Sequence, residues 1–215
     1  MFLTIPDLLS AAEVTAIQQA ARTMPFGDGR AKAGRYAQAV KANDRASPSP
    51  ALDALNKKVS GALTGHPVFA SAVRPRVMTR LILSRYGEGQ TYGSHVDDAL
   101  MQGLRTDVSF TLFLSDPAIY DGGELIVQDT LEDRAIRLTP GSLVIYPSTS
   151  LHRVAPVTRG TRLAVVGWAQ SWVRSAEKRE ILFDLDRSIA ALDAGDLRET
   201  LLKTRSNLLR MWAAD

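Results

Sequence analysis

The sequence predicts a mainly β protein, built as a β-sandwich or jelly-roll barrel, with helices at both ends of the chain. Short runs of alternating apolar and polar residues follow one another from Arg76 to Ser171, and turn-forming residues separate them. Apolar residues recur at helical spacing before these runs and again after Trp172. Roughly seven or eight short strands at regular spacing are typical of a sandwich or jelly-roll barrel.

Two helices are predicted ahead of the strands. Ser10 and Glu13 have the spacing of a capping box, and the apolar pattern behind them predicts a helix over residues 11 to 23. Pro48 and Pro50 introduce a second amphipathic helix through Leu52, Leu55, Val59 and Leu63. We expect both helices to pack on a sheet.

The predicted strands begin with an alternating run from Arg76 to Ser84. Others are predicted at Asp107 to Leu114, Glu124 to Gln128, Ala135 to Leu138, Ser142 to Tyr146, His152 to Val154 and Arg162 to Ser171. The pair Gly122-Gly123 predicts a hairpin turn with positive φ.

The chain divides at Trp172 in this interpretation. Residues 1 to 172 form the main domain, with its core at 75 to 172, and residues 173 to 215 form a C-terminal helical extension broken at Ala194-Gly195. The extension is amphipathic, so we expect it to pack back on the barrel or to pair with a second copy in a homodimer.

The composition limits which residues can bind a metal and which class of protein this is. The chain has 215 residues, 45% of them hydrophobic and 23% charged, which fits a soluble globular domain with a helical appendage. It contains no cysteine, so a metal site has to use histidine and carboxylate rather than thiolate. The N-terminus has no basic residue before Arg22 and no apolar run of membrane-spanning length, which predicts a cytoplasmic protein without a membrane partner.

The charge balance raises the question of nucleic-acid binding. The 26 basic residues exceed the 23 acidic ones, and the sequence pI is about 9.3. The densest basic cluster lies between Gly29 and Arg45, while elsewhere the signs are mixed. We interpret this cluster as a solvated or lid-like loop rather than a track for phosphates, and leave open whether it closes over a substrate.

The chain has three histidines, and two of them, together with one aspartate, are candidates for a metal site. His95 and Asp97 are two residues apart, so on an extended segment their side chains point to the same side. His152 follows a predicted buried strand and a tight turn, from which it could reach the same barrel mouth. Two histidines and one carboxylate form the facial triad of non-haem Fe(II) oxygenases. A lone histidine is more often structural, so the interpretation as a metal site depends on His95, Asp97 and His152 occurring together in this order among predicted strands.

Arg162 adds an anion site to the metal site. It lies ten residues after His152 at the head of a predicted strand, where a guanidinium can bind the far carboxylate of a 2-oxo diacid through two hydrogen bonds. Trp168 alternates to the same face as Arg162, and Tyr86 flanks a strand. Both are candidates for pocket lining, with core packing as the alternative.

The motifs in this order resemble a known family. They are Tyr86-Gly87-Glu88-Gly89-Gln90-Thr91-Tyr92-Gly93-Ser94-His95-Val96-Asp97, Gly122-Gly123-Glu124-Leu125, Pro140-Gly141-Ser142-Leu143, His152-Arg153-Val154 and Gly160-Thr161-Arg162. Together they resemble the prolyl-4-hydroxylase-type Fe(II)/2-oxoglutarate dioxygenases and, more narrowly, the bacterial PKHD-type hydroxylases. The resemblance covers about residues 75 to 172, and Lys41-Ala42-Asn43 and the helical tail also look like that subfamily's flanks.

The resemblance implies a double-stranded β-helix core, of the jelly-roll or cupin-like kind, in which His95, Asp97 and His152 bind Fe(II). It implies that Arg162 binds the 5-carboxylate of 2-oxoglutarate, that dioxygen is the second cosubstrate, and that ascorbate keeps the iron reduced. The reaction would hydroxylate a small molecule or a peptide side chain and release succinate and CO2. Phe113 departs from the family pattern, which can place a tyrosine there, and leaves Tyr86 or Thr111 as the second contact of the carboxylate.

Two other functions remain open at this point. Nucleic-acid base demethylases share the triad, but they place their two arginines further apart than Arg159 and Arg162, which makes nucleic acid an unexpected partner here. A non-catalytic module that senses iron or 2-oxoglutarate would keep the same triad without turnover.

Overall fold

The computed structural model describes residues 1–32, 34–129 and 131–213. Six helices are found there: α1 (Ala11–Thr23), α2 (Arg35–Val40), α3 (Pro50–Gly65), α4 (Pro67–Val73), α5 (Ala176–Ala190) and α6 (Asp196–Trp212). The strands of the first half are β1 (Leu3–Ile5), β2 (Phe26–Asp28), β3 (Lys41–Ala42), β4 (Asp44–Ala46), β5 (Pro75–Met78), β6 (Ile82–Tyr86), β7 (Thr91–His95), β8 (Leu100–Met101), β9 (Leu104–Arg105) and β10 (Val108–Phe113). The later strands are β11 (Tyr120–Gly122), β12 (Leu125–Gln128), β13 (Asp133–Ile136), β14 (Leu143–Pro147), β15 (His152–Val154), β16 (Val157–Gly160) and β17 (Arg162–Ser171).

Two antiparallel sheets form the core of the fold. The larger sheet has the order β1-β14-β10-β17-β6-β4-β2, with β5 also paired to β17, and the smaller has the order β13-β12-β15-β7-β3. Strands that are distant in sequence alternate between the two sheets, as in a double-stranded β-helix. The predicted fold class is therefore confirmed.

The N-terminal helices pack on the larger sheet, as predicted. α1 begins with the capping box that the sequence indicated, since Ser10 accepts from the Glu13 amide and Glu13 accepts from the Ser10 amide. The buried residues of α1 and α3 join one apolar cluster with the larger sheet, which includes Val14, Ile17, Leu52, Leu55, Val59, Leu63, Phe110, Leu112 and Val165. This side of the sheet is closed, so the site has to lie on its other face, toward the smaller sheet.

The alternating run from Arg76 to Ser84 is two strands rather than one. β5 pairs with the C-terminal part of β17, and β6 pairs with its N-terminal part. Between them, the Leu81 amide donates to the side chain of Asn56 on α3 instead of to a neighbouring strand. The interruption depends on a helix distant in sequence, which a local pattern could not reveal.

The interpretation of residues 29 to 45 as a loop is wrong for most of that segment. Its described part contains a 3-10 turn, the short helix α2 and the strands β3 and β4. β3 pairs with β7 in the smaller sheet, and β4 pairs with β6 in the larger one. Strands of two or three residues, with one alanine each, are too short to show an alternating apolar pattern, so the sequence gives no sign of them.

The C-terminal helices follow the predicted pattern, with the break at Ala194-Gly195 between them. The buried Arg74, at the end of α4, donates to the Leu182 carbonyl and to Asp186 on α5. Residues 214 and 215 of the predicted extension lie outside the described residues. The helices within 1–32, 34–129 and 131–213 are all too short or too polar to cross a membrane.

Candidate metal centre

Two paired strands and the residues after one of them bring the predicted metal ligands together. His95 ends β7 and is paired in register with His152, the first residue of β15. Asp97 lies two residues beyond the end of β7. The Nε2 atoms of His95 and His152 lie 4.0 Å and 3.7 Å from the Asp97 carboxylate oxygens. One ligand atom from each residue lies within 4.8 Å of the others, whereas His66 lies apart, between α3 and α4.

Both histidines present the same ring nitrogen to this cluster. His95 Nδ1 lies 2.8 Å from the Gly93 carbonyl oxygen, and His152 Nδ1 lies 3.0 Å from the Ser150 carbonyl oxygen. A carbonyl only accepts, so Nδ1 carries the proton and the lone pair of Nε2 faces Asp97. Burial, together with the neighbouring His152, lowers the pKa of His95 to about 4, so this imidazole is neutral at pH 7 and available as a ligand.

An aromatic ring holds the plane of the His95 imidazole. The Tyr92 ring stacks on His95 with a centroid distance of 3.6 Å and an interplanar angle of 14°. The ammonium of Lys41 lies over the Tyr92 ring, 4.6 Å from its centroid. Burial raises the pKa of the Tyr92 hydroxyl, so the ring stays neutral at physiological pH.

The carboxylate of Asp97 is oriented by a buried serine. Ser109, on β10, donates to Asp97 Oδ2 over 2.6 Å and is itself hydrogen-bonded to Ser148 Oγ at 2.8 Å. This leaves Asp97 Oδ1 without a side-chain donor among the described residues. A donor of this kind fixes the rotamer of a ligating carboxylate before the metal binds.

Arg162 is fully buried at the head of β17. Its Cζ lies 5.3 Å from the ring centroid of Tyr86 and 5.2 Å from that of Phe113. Its Nε and Nη2 atoms are buried and have no hydrogen-bond partner among the described residues. Because a buried cation without an anion is costly, the residue fits an anionic ligand, and two adjacent N–H groups match a carboxylate.

A glycine leaves room for this guanidinium. Gly123 has a φ of +66°, and a Cβ at this position would lie 3.0 Å from Arg162 Cδ and 2.9 Å from Val157 Cγ2. The predicted positive φ of the Gly122-Gly123 pair is confirmed, with values of +70° and +66°, but the predicted hairpin is wrong, because the turn joins β11 and β12, which belong to different sheets. The turn therefore has a second use, since it brings backbone close to the Arg162 side chain.

One cavity of about 410 Å³ contains the three clustered side chains and Arg162 in its wall. This volume is in the range of small-molecule sites. Tyr86 and Trp168, the two residues predicted as lining, also lie in this wall. Burial raises the pKa of Tyr86 to about 12, although the charge of Arg162 works against this shift. The structure thus places all six residues of the predicted site around one cavity.

Comparisons with known proteins agree with this arrangement. The family model of the 2OG-Fe(II) oxygenase superfamily matches residues 81–170. A PKHD-type hydroxylase from Picosynechococcus sp. is 46% identical to this chain, over 99% of the chain and 100% of its relative's length. The chain belongs to the PKHD-type hydroxylase family. The predicted resemblance is therefore confirmed.

Solved structures share the fold of this PKHD-type hydroxylase. A Pseudomonas putida prolyl-4-hydroxylase is 19% identical, with a TM-score of 0.55 over 79% of this chain and 92% of its own. A Trichoplax adhaerens prolyl hydroxylase, solved with a peptide fragment of a hypoxia inducible factor, is 16% identical, with a TM-score of 0.57 over 84% of this chain and 86% of its own. At these identities the likeness concerns the fold.

The PKHD-type hydroxylase has cavity residues that the sequence analysis did not single out individually. Ser109 lies on a strand that was correctly predicted, and a polar residue among the apolar residues of that strand was the available signal. Lys41 and Arg45 line the cavity as well, but they belong to the segment interpreted as a loop. Burial lowers the pKa of Lys41 to about 8 and also lowers the pKa of Arg45.

Proposed function

We propose that this chain is an Fe(II)- and 2-oxoglutarate-dependent dioxygenase that hydroxylates its substrate. One observation carries the proposal: the buried cluster of His95, Asp97 and His152 shares a cavity with the buried, unpartnered guanidinium of Arg162. The donor set fits Fe(II), because two neutral imidazoles and a carboxylate leave coordination positions open. Bound iron and 2-oxoglutarate supply the oxidation, in which one oxygen atom of O2 enters the substrate C–H bond, the other enters succinate, and CO2 is released.

The chain's own residues prepare this chemistry by holding ligands in place. His95 and His152 would bind iron through Nε2, because their Nδ1 protons are held by backbone carbonyls. Asp97 would bind through its free oxygen while Ser109 holds the other. These contacts exist before the metal arrives, so little reorganisation is needed on binding.

Arg162 would bind the far carboxylate of 2-oxoglutarate through its two unpartnered nitrogen atoms. The rings of Tyr86 and Phe113 flank the guanidinium and keep water from it. Phe113 has no hydroxyl, so we assign the second contact of this carboxylate to Tyr86 or Thr111, both of which line the cavity. The other end of 2-oxoglutarate would then lie toward the three metal ligands.

Anaerobic absorption spectroscopy tests the proposal. Adding 2-oxoglutarate to the Fe(II)-loaded protein is expected to produce a metal-to-ligand charge-transfer band. Asp97→Ala should abolish the band, and Arg162→Ala should require a much higher 2-oxoglutarate concentration to reach it. Asp193→Ala and Arg159→Ala are matched controls, since both residues are exposed and neither lines the cavity.

The outcomes separate the alternatives. Succinate formation that depends on O2, together with the band, supports a hydroxylase. The band without succinate would indicate a sensor that binds both groups without turnover. Bound iron with no band in the wild type would contradict the 2-oxoglutarate site.

We further propose that the substrate is a small molecule or a peptide side chain rather than nucleic acid. The cavity volume fits a side chain or a small metabolite next to the cosubstrate. Support for a peptide comes from the Trichoplax adhaerens fold neighbour, which was solved with a peptide bound. Competition by synthetic peptides and by small amino acids in the succinate assay distinguishes the two classes.

The proposal extends to a homodimer formed through the C-terminal helices. α6 has no buried residue and exposes Leu197 and Met211, at 63% and 73%. Light scattering of the full chain beside a chain ending at residue 195 tests this. A dimer that becomes a monomer on truncation supports it, and a monomeric full chain contradicts it.

We place the activity in the cytoplasm, where 2-oxoglutarate and Fe(II) are both supplied, with ascorbate as the reductant that keeps the iron ferrous. The support for ascorbate is the family resemblance. Loss of activity during repeated turnover, restored by ascorbate, is the expected result.

A further inference from the structure

Residues 41 to 46, here called the strap, join the two sheets beside the cavity. β3, at the start of the strap, pairs with β7 in the smaller sheet, and β4, at its end, pairs with β6 in the larger. β7 carries His95, and β6 ends at Tyr86. The backbone pairing therefore fixes the strap relative to His95 on one sheet and to Tyr86 on the other.

Two cations of the strap face the cavity. Lys41 and Arg45 line its wall, and both are partly buried. Asp44 lies between them and binds elsewhere, accepting from Arg85 Nη2 over 2.8 Å. Alternation along the extended strap explains this separation, because successive side chains point to opposite sides.

Neither cation has an anionic partner of its own. No ion pair joins Lys41 or Arg45 to a carboxylate within residues 1–32, 34–129 and 131–213. The carboxylate whose charge acts on Lys41 is Asp97, which the proposed function assigns to iron. Arg45 has another cation, Arg80, as a charged neighbour.

Such an arrangement costs stability unless an anion binds there. Partial burial removes water from both cations, and among the described residues no carboxylate forms an ion pair with either of them, although the charge of Asp97 acts on Lys41. Arg162 has its own ligand in the proposed function, the far carboxylate of 2-oxoglutarate. Once Arg162 is assigned to 2-oxoglutarate, Lys41 and Arg45 are the cations in the cavity wall that still lack a ligand. One carboxylate of the wall also has no assigned role, Asp98, which is exposed and lies against Gly34.

The position of Lys41 relates this pair to the reacting end of the cavity. Its ammonium lies 4.6 Å from the Tyr92 ring, which in turn stacks on His95 at 3.6 Å. One ring thus separates Lys41 from a proposed metal ligand. Lys41 is close enough to Asp97 and His95 for their charges to interact, so an anion held by Lys41 and Arg45 would lie on the same side of the cavity as the proposed metal ligands.

We propose that Lys41 and Arg45 bind a carboxylate of the substrate, so that this enzyme hydroxylates a carboxylate-bearing substrate close to its acidic group. The proposal rests on the proposed function and names its substrate class. The carboxylate belongs either to a small organic acid or to an acidic side chain of a peptide, because the same cations would bind both.

Isothermal titration calorimetry with matched acid and amide probes tests the proposal. The sample is the full chain loaded with Mn(II) and 2-oxoglutarate, which does not turn over. One arm uses N-acetyl amino acids beside their primary amides. The other uses blocked tripeptides Gly-Asp-Gly and Gly-Glu-Gly beside Gly-Asn-Gly and Gly-Gln-Gly. We expect at least one acid to bind about tenfold or more tightly than its amide, and the arm that shows it identifies the source.

Substitutions then assign the preference to the strap. Lys41→Met and Arg45→Met should each reduce the acid-over-amide ratio severalfold and together remove it, while Lys41→Arg should keep most of it. Lys57→Met and Arg22→Met are matched controls, since both residues are exposed and neither lines the cavity, and they should keep the full ratio. Circular dichroism and the Tm of each variant establish that it is folded.

Three results would overturn the proposal. The first is that acids and amides bind equally, or that no acid binds. The second is an acid preference that survives both strap substitutions. The third is a loss of 2-oxoglutarate affinity in the strap variants while the acid preference stays intact. The last result would assign the cations to the cosubstrate. Failure of the proposed function is detected separately, as absence of the charge-transfer band in the wild type.

Discussion

A single hydroxyl determines how the Asp97 carboxylate faces the cavity. Ser109 is 1% exposed, so no water can replace its hydrogen bond to Asp97 without rearrangement. The bond leaves Oδ1 without a side-chain donor among the described residues; Oδ1 lies 4.0 Å from His95 Nε2, and the Ser109-bound Oδ2 lies 3.7 Å from His152 Nε2. At the scale of single residues, metal affinity thus depends on a group that is not itself a ligand.

Ser109→Ala is expected to weaken Mn(II) or Fe(II) binding roughly 10- to 100-fold while the protein stays folded. The reason is that Asp97 loses its fixed orientation. Metal titration followed by fluorescence or calorimetry measures the effect. Ser115→Ala is the control, because Ser115 is also a buried hydrogen-bonded serine but its partners are backbone groups of Thr161 and Leu163. Equal losses in both variants would contradict a specific role for Ser109.

The lowered pKa of His95 predicts a pH-dependent stability of the metal-free protein. The pKa is about 4 in the folded protein, against an ordinary histidine value of 6.5, so the unfolded chain binds the proton more readily. The stability contributed by neutral His95 is complete above about pH 6.5 and is lost as the pH falls toward 4. We expect a loss of up to about 3 kcal/mol in the free energy of unfolding over this interval.

Urea unfolding at several pH values measures this dependence, with His95→Gln as the comparison. The variant should lack this part of the pH dependence because its side chain does not titrate. If both proteins lose the same free energy between pH 7 and pH 4, another group is responsible.

The residues that the structure brings together around the cavity were largely predictable, because His95, Asp97, His152 and Arg162 carry local spacing signals. These four residues come from separate parts of the chain, and a double-stranded β-helix is a fold that brings them to one cavity. That fold class was also predicted. Ser109 and Arg45 had no such signal. Their roles depend on strand pairing, which brings Ser109 next to Asp97 and puts β4 beside β6.

At the scale of elements, the turn at Gly122-Gly123 has two roles, one in connecting strands and one in packing against Arg162. It starts a connection between β11 and β12, and it also forms one wall around Arg162. A side chain at Gly123 would meet Arg162 and Val157 and would also require a backbone conformation that L residues rarely adopt.

Gly123→Ala should therefore lower stability by roughly 1–3 kcal/mol and also weaken 2-oxoglutarate binding by about tenfold. Gly89→Ala separates the two effects, because Gly89 has a φ of +76° but no heavy atom within 4 Å of its Cβ position. The control should lose stability and keep its 2-oxoglutarate affinity. The charge-transfer titration and thermal unfolding provide the two measurements, and unchanged affinity in Gly123→Ala would contradict the contact.

Long elements were predicted better than most short ones. α1 and β17 have the bounds that the sequence indicated, since their caps and apolar periods are local. The three-residue strand β15 was also predicted with its observed bounds and is an exception among the short strands. β3, β4, β8 and β9 have two or three residues each, too few for a period to be recognised. These short strands exist because a neighbouring strand offers hydrogen bonds, which is a property of the assembled sheet.

At the scale of the whole molecule, an ion pair ties the C-terminal helices to the barrel domain. Asp186 on α5 binds the buried Arg74 and also Arg205 on α6. Burial lowers the pKa of Arg74, and the charge of Asp186 opposes that shift. Asp186 therefore connects both C-terminal helices to the end of α4, and a second ion pair joins the amino group of Met1 to Glu180 on α5.

Asp186→Ala is expected to reduce the free energy of unfolding by about 3 kcal/mol, because Arg74 stays buried without its anion. Asp184→Ala, on the same helix but exposed, should change it by less than about 0.5 kcal/mol. Urea unfolding followed by circular dichroism and by tryptophan fluorescence measures both variants. Two separate transitions in the wild type would show instead that residues 173 to 213 unfold independently of the barrel.

The triad and the rim of the cavity are built from different parts of the chain. His95 and His152 are held opposite each other by the ladder between β7 and β15, while the strap and the β8–β9 hairpin contribute wall residues and no member of the triad. Mutations in those segments can alter which molecules enter while the ligand spacing stays the same. Selection can therefore act on substrate range and on oxidation chemistry separately, and a lineage with this architecture can acquire a new substrate without passing through an inactive ancestor.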